Sequence, residues 1–333
     1  MTATTTAAAN GNGSVIHDIG YKPYTGQRLT RPHIVRALYF FSLRSAFGFG
    51  RGAKARVIPL LMFGVTMLPA AISIYKVAAL GGDPALRFDH YAYSTSLFVI
   101  VFVAVAAPEL VSRDLRHHTL PLYFSRPLRR ADYPLAKLLA LATAIVLFEA
   151  LPLIAMYLGI IASSTTGSGV WDQTKALVPG LLVALAYGVL LAPLTLLIAS
   201  STGRRAIVTG AIAILFLATM SVAGVFESVG SHSTMTINGV PHDPGTPVDV
   251  TPDKNGNIPD IRESTTYDPI ARYGGLVDPL RVVEGARVWG LHATDPSIPD
   301  PESAGPLYAI ELLVLTGLAT GGLFLRYRKV GVA

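Results

Sequence analysis

The sequence predicts an all-α integral membrane protein: six transmembrane helices, an N-terminal interfacial helix and a long extracellular insertion between the fifth and sixth spans. Three observations predict it. Residues are 51% hydrophobic and only 14% charged, with a mean hydropathy of +0.48, well above that of an ordinary soluble domain. Apolar runs of about 20 residues, the length that crosses a bilayer, recur six times. Lys and Arg concentrate in alternate connections between those runs.

Such a composition argues against a soluble enzyme. Cysteine is absent, which excludes disulfides, a thiolate nucleophile and Cys-based zinc or iron–sulfur sites. A net charge of +6 would point towards nucleic acid in a soluble chain. Here the positions of the charges matter more than their sum, and no nucleic-acid partner is expected.

Residues 1–30 open on Thr, Ala, Asn and Gly without charge or an apolar core, which reads as a disordered cytoplasmic tail rather than a cleaved signal peptide. Residues 31–56 mix Arg36, Arg44, Arg51, Lys54 and Arg56 with Tyr39, Phe40, Phe41, Phe47 and Phe49. That mixture suits a helix lying in the membrane interface. A plain juxtamembrane anchor is the simpler alternative.

Residues 57–227 hold the first five spans: Val57 to Leu80, Tyr91 to Val111, Leu135 to Ala162, Ala176 to Ser200 and Ala206 to Glu227. Residues 307–333 hold the sixth, Leu307 to Leu325, and the C-terminus. Of 27 Lys and Arg, 19 fall before the first span, in the second-to-third and fourth-to-fifth connections, and after the sixth span. Both termini are therefore expected in the cytoplasm.

Residues 228–306 form the expected extracellular loop domain, with five basic residues against eleven acidic ones and 11 of the 23 prolines. Thr234 to Pro241, around Asn238-Gly239, reads as a hairpin. Asp268-Pro269 and Asp278-Pro279 each open a short helix, the second running to about Trp289. Residues 241–262 read as irregular, being polar and proline-rich. The segment suits a gate, a docking site for an extracellular partner or a passive cover. His232, His242 and Asp243 have ligand chemistry but no spacing that defines a metal site, and none is assigned.

The loop between the second and third spans, residues 112–131, carries Arg113, Arg116, Arg126, Arg129 and Arg130 among Leu115, Leu120, Leu122, Tyr123 and Phe124. It is too apolar for a solvated hinge and too charged for the membrane interior. A short helix in a partner's groove satisfies both halves; arginines that only set topology and touch anionic lipid are the alternative. Asp132 then Pro134 supplies an N-cap and an early proline for the third span. Glu109 sits at the loop entry, one turn before Arg113, at the spacing of a helical ion pair.

The run from Glu109 through Ser112-Arg113-Asp114-Leu115-Arg116, Thr119-Leu120-Pro121-Leu122, Ser125-Arg126-Pro127-Leu128-Arg129-Arg130 and Lys137-Leu138-Leu139 resembles the permease subunits of type two ATP-binding-cassette (ABC) exporters. His17 to Gly26 looks like a segment of actinobacterial members. The resemblance implies that about Arg113 to Arg130 is a coupling helix inserted into a nucleotide-binding subunit. It also implies two cytoplasmic ATPase subunits and a second permease copy or a sibling permease. The chain has no Gly-x-x-x-x-Gly-Lys-Ser/Thr loop, so it is expected to be no enzyme itself. ATP and Mg would act through the partner, and no cofactor binds directly.

Polar residues within the spans mark a candidate pathway: Glu149, Tyr157 and Tyr187. A charged carboxylate at mid-membrane costs about 2.5–3.5 kcal/mol on insertion scales. A hydrogen bond to Tyr157, Tyr187 or a span hydroxyl, a proton site and contact with cargo are all open explanations for Glu149. Pro152 is expected to kink its helix. Gly317 and Gly321 offer a close-packing pair for another helix. The implied cargo is hydrophobic or amphipathic, in the class of drugs, antibiotics, lipids or glycans. A non-transporting scaffold or sensor with a ligand-binding external loop is the alternative. An intramembrane enzyme is weaker still, because no catalytic constellation accompanies Glu149.

Overall fold

The computed structural model describes residues 30–50, 52–117, 123, 128–163, 167–237, 240–242, 261–293, 298–299 and 301–329. The helices are α1 (Arg31–Ala46), α2 (Lys54–Tyr75, continued by a π-helical turn, Lys76–Leu80), α3 (Tyr91–Ser94), α4 (Ser96–Arg116), α5 (Asp132–Ser163), α6 (Gly167–Ala199), α7 (Arg205–Gly230), α8 (Pro269–Gly274), α9 (Pro279–Gly290) and α10 (Pro301–Lys329). Among the described residues, six helices are long and apolar enough to cross a membrane: α2, α4, α5, α6, α7 and α10.

The bundle is built around α4. Its face from Val99 to Ser112 is almost wholly buried, whereas α2, α7 and α10 show long exposed apolar faces. An apolar side chain gains little by leaving lipid, so these contacts are held by close packing rather than by exclusion from water. Phe102 of α4 stacks on Phe148 of α5 with ring centroids 4.5 Å apart, and Phe63 of α2 meets the same ring edge-on at 5.9 Å. Gly188 lets α6 approach α5 closely: a Cβ there would stand 2.6 Å from Val146 and 2.9 Å from the Ala142 carbonyl.

The helix expected over 31–56 ends at Ala46, and α2 begins only at Lys54. The break turns on Gly48, whose φ of 77° is open mainly to glycine. A Cβ at Gly48 would also strike the Ala55 carbonyl. Helix α1 packs on α4 and α5 through Leu38, Ser42 and Ala46, and Tyr39 donates a hydrogen bond to Thr143 of α5 at 3.0 Å.

The insertion departs from a purely helical reading. It carries a three-stranded antiparallel sheet of order β2-β1-β3, from β1 (Ser231–Ile237), β2 (Val240–His242) and β3 (Ile261–Tyr267). The expected hairpin is the β1–β2 pair, registered Met235 to His242 and Ile237 to Val240. Strand β3 was not expected; it pairs with β1 from Ser231–Tyr267 to Ile237–Ile261. Helices α8 and α9 start where Asp268-Pro269 and Asp278-Pro279 indicate, and Asp278 caps α9 by accepting from Leu280 N–H at 3.1 Å. Both helices pack back onto the bundle: a Cβ at Gly274 would meet Phe226 of α7, and one at Gly285 would meet Tyr308 of α10.

Candidate functional site

Two buried polar assemblies, one at each end of the bundle, and one isolated acid between them interrupt the apolar interior. The first lies where α4 enters the loop and α5 leaves it, here the loop end. Asp114, on the last turn of α4, accepts a hydrogen bond from Tyr133 OH at 2.6 Å and pairs with Lys137 Nζ at 3.0 Å, both on α5. The Lys137 side chain is only 4% exposed. A cation at that depth requires its partner.

Glu109, equally buried, lies 2.7 Å from Arg205 at the start of α7 and 3.7 Å from Arg113. The expected Glu109–Arg113 contact is therefore present but long, and the shorter one reaches another helix. Asp132 accepts from Arg31 of α1 at 2.5 and 2.7 Å and from Arg129 N–H at 2.8 Å, tying the loop exit to α1. Ser112 Oγ donates to the Ala199 carbonyl at 3.1 Å, and Arg326 Nε to the Ser200 carbonyl at 2.7 Å. These bonds attach the ends of α4 and α10 to the end of α6. A cavity of about 280 Å³ opens beside the cluster, lined by Phe41, Phe49, Glu109, Arg113, Tyr123 and Lys137 among others.

The loop residues expected to dock a partner are partly visible. Arg113, Arg116, Arg129 and Arg130 are surface residues at its two ends, Arg113 being 56% exposed. Tyr123 is half-buried, its ring 5.5 Å from that of Tyr133. Leu120, Leu122, Phe124 and Arg126 lie outside the described residues.

Midway along α5, Glu149 is 1% exposed. The structure answers its need for a partner with a span hydroxyl: Thr95 Oγ1 lies 3.2 and 3.3 Å from the two carboxyl oxygens. That hydroxyl has one proton to give, and the Tyr91 carbonyl at 3.0 Å competes for it. Tyr157 instead meets Thr174 of α6 at 2.8 Å. Tyr187, fully buried on α6, has no hydrogen-bond partner for its hydroxyl among the described residues. The three proposed pathway residues thus do not form one hydrogen-bonded group.

The second assembly, at the opposite end of the bundle where α8 and α9 pack onto it, here the cap end, was not expected. Arg287 on α9 has a fully buried side chain. It bonds Glu284 on its own helix at 2.9 and 2.6 Å and reaches Asp89 in the connection between α2 and α3. His90 Nδ1 is 3.0 Å from Glu284, and Arg87 holds Asp89 from the solvent side at 3.1 and 3.3 Å. Arg281 pairs with Glu227 at the end of α7. Burial pushes the Asp278 carboxyl up from the usual range, while its bond from the Leu280 N–H acts the other way.

In sequence Lys137 and Arg205 count towards the Lys and Arg bias, and Asp114 stands only within the exporter-like run. The available signal was position: Lys137 falls inside an apolar run, one turn beyond Tyr133. Glu284 and Arg287 stand at i and i+3 among apolar residues, a helical pair recognisable only once that face is known to be buried. Among the described residues no group of His, Asp and Glu is arranged to hold a metal ion; His232 meets Asp268 at 3.2 Å, and Asp243 lies outside the described residues.

No protein-family model matches the chain, and no curated protein matches it. Six apolar helices long enough to span, counted among the described residues, and the composition mark a multi-pass membrane protein.

Proposed function

We propose that the chain is the membrane-spanning permease subunit of an ABC exporter in a bacterial plasma membrane, with both termini cytoplasmic. In this reading two cytoplasmic ATPase subunits supply the energy through ATP and Mg, and a second permease, identical or related, completes the pathway. The cargo is hydrophobic or amphipathic. The observation that carries the reading is the clamp around the loop: Asp114 and Lys137 bind the two flanking helices to each other across the loop, with Tyr133 on the same carboxylate. Glu109 and Asp132 extend the attachment to α7 and α1.

Anything that displaces the loop therefore loads several helices together, which is the mechanical requirement for coupling ATP turnover to movement within the membrane. A loop that only set topology would need no buried cation between its flanks. The local resemblance to type two exporters supports the same reading. The test is to purify the chain from its native membrane through a tag on it and to assay the preparation for a copurifying ATPase. Copurification, with ATP turnover that falls when Leu122→Glu and Arg126→Glu are introduced, supports the proposal. The scaffold alternative predicts no coupled ATP hydrolysis.

A further inference from the structure

At the cap end a cavity of about 470 Å³ lies between the α2–α3 connection, the first turns of α6 and the residues that follow α9. That volume falls within the range of about 300–1,000 Å³ typical of small-molecule sites. Its lining mixes apolar residues, Phe88 of the connection, Ala176 and Pro179 of α6 and Leu291 after α9, with the polar Asp83, Arg87, Asp89, Gln173 and His292. His292 has φ of 49°, the left-handed turn that ends α9, with Ala293 N–H returning to the Val288 carbonyl at 3.0 Å.

The charges narrow what fits. Asp89 already receives Arg87 on both carboxyl oxygens and Arg287 from behind. A purely cationic head group would compete with two guanidinium groups for it. A purely anionic one would face Asp83 and Asp89. A head group carrying both signs leaves neither mismatch: its acid meets Arg87, 53% exposed, and the Gln173 amide, while its ammonium meets Asp83. Depth points the same way. Trp171, 62% exposed, stands on the first turn of α6 with Lys175 against its ring at 5.3 Å, an aromatic and basic pairing typical of the membrane–water boundary.

We propose that this cavity binds the head group of a zwitterionic amphiphile, an ammonium joined to a phosphate or carboxylate, with its apolar part along Ala176, Pro179 and Leu291. Neither a partner ATPase nor a direction of transport enters the argument, so the site stands or falls apart from the exporter reading.

The full chain is reconstituted in vesicles containing equal amounts of phosphatidylethanolamine, phosphatidylglycerol and a cationic lipid of the same acyl chains. It is then extracted gently, and the retained lipid is counted by native mass spectrometry. The expected result is preferential retention of the zwitterionic lipid by about tenfold, equivalent to about 1.4 kcal/mol, lost in Ala176→Trp, which fills the cavity, and in Arg87→Gln. Asp83→Asn, at an exposed position, reads the ammonium contact should Arg87→Gln fail to fold. Water-soluble phosphoethanolamine added as competitor tests the apolar contact: failure to displace the lipid at equal concentration supports a membrane amphiphile, and full displacement overturns it. Equal retention of the three lipids, or a preference unchanged in Ala176→Trp, overturns the proposal.

Discussion

The two ends of the bundle solve the same physical problem in different ways. Each buries an Arg or Lys with acids, but the loop-end cluster joins neighbouring transmembrane helices to one another, whereas the cap-end cluster fastens α9, a helix of the insertion, to the α2–α3 connection. At the loop end Lys137 answers Asp114 across a junction between two spans. At the cap end Arg287 answers Glu284 one turn away and Asp89 far along the chain. Removing one partner of a buried pair leaves the other charge uncompensated. Equivalent substitutions should therefore damage both ends, and the kind of damage should tell them apart.

The largest loss is expected at the cap end. Arg287→Met leaves Glu284 with only His90 and Asp89 with only Arg87 among the partners described above, and should cost about 3–5 kcal/mol, read as a fall in thermal midpoint in detergent. Adding Glu284→Gln and Asp89→Asn should recover part of it, because the stranded charges disappear; no recovery would mean that the cluster is not an electrostatic lock. At the loop end Lys137→Met should cost about 3 kcal/mol, at the low end of the same range because Asp114 is 16% exposed. Tyr39→Phe removes the bond from α1 to Thr143 and should cost about 1 kcal/mol. It should also leave the thermal response of cap-end variants unaltered, since distant sites act additively. The smallest effect is expected between the two ends: Glu149→Gln keeps a hydrogen-bonding group against Thr95 and should cost less than about 1 kcal/mol. If that variant is stable and yet abolishes transport, Glu149 has a role beyond its hydrogen bond.

The transmembrane architecture was legible because apolar length is a local property. The third span, read as Leu135 to Ala162, is Asp132–Ser163, and the Asp-Pro starts of α8 and α9 are where the caps indicated. Strand β3 was not legible, because its residues are polar and its pairing joins Ser231 to Tyr267 across a segment without local periodicity. Nor were the buried ion pairs, whose partners are set by packing: Asp89 and Arg287 are 198 positions apart. Glu109 shows both sides of this. Its helical neighbour Arg113 was readable from spacing, while its closer partner Arg205 belongs to another span. The proposed pathway residues were chosen by polarity alone, and packing separated Tyr157 from Glu149 by giving it to Thr174.

The claim on which the functional account rests is that the loop-end cluster transmits motion whereas the cap-end cluster only fastens. ATP turnover of the chain copurified with the proposed ATPase tests it most directly, comparing Asp114→Asn with Glu284→Gln at temperatures where both variants remain folded. The account predicts that Asp114→Asn keeps the ATPase bound but loses the cargo dependence of its turnover, while Glu284→Gln retains it. Cargo-dependent turnover unchanged in Asp114→Asn, or lost equally in both variants, would contradict the account.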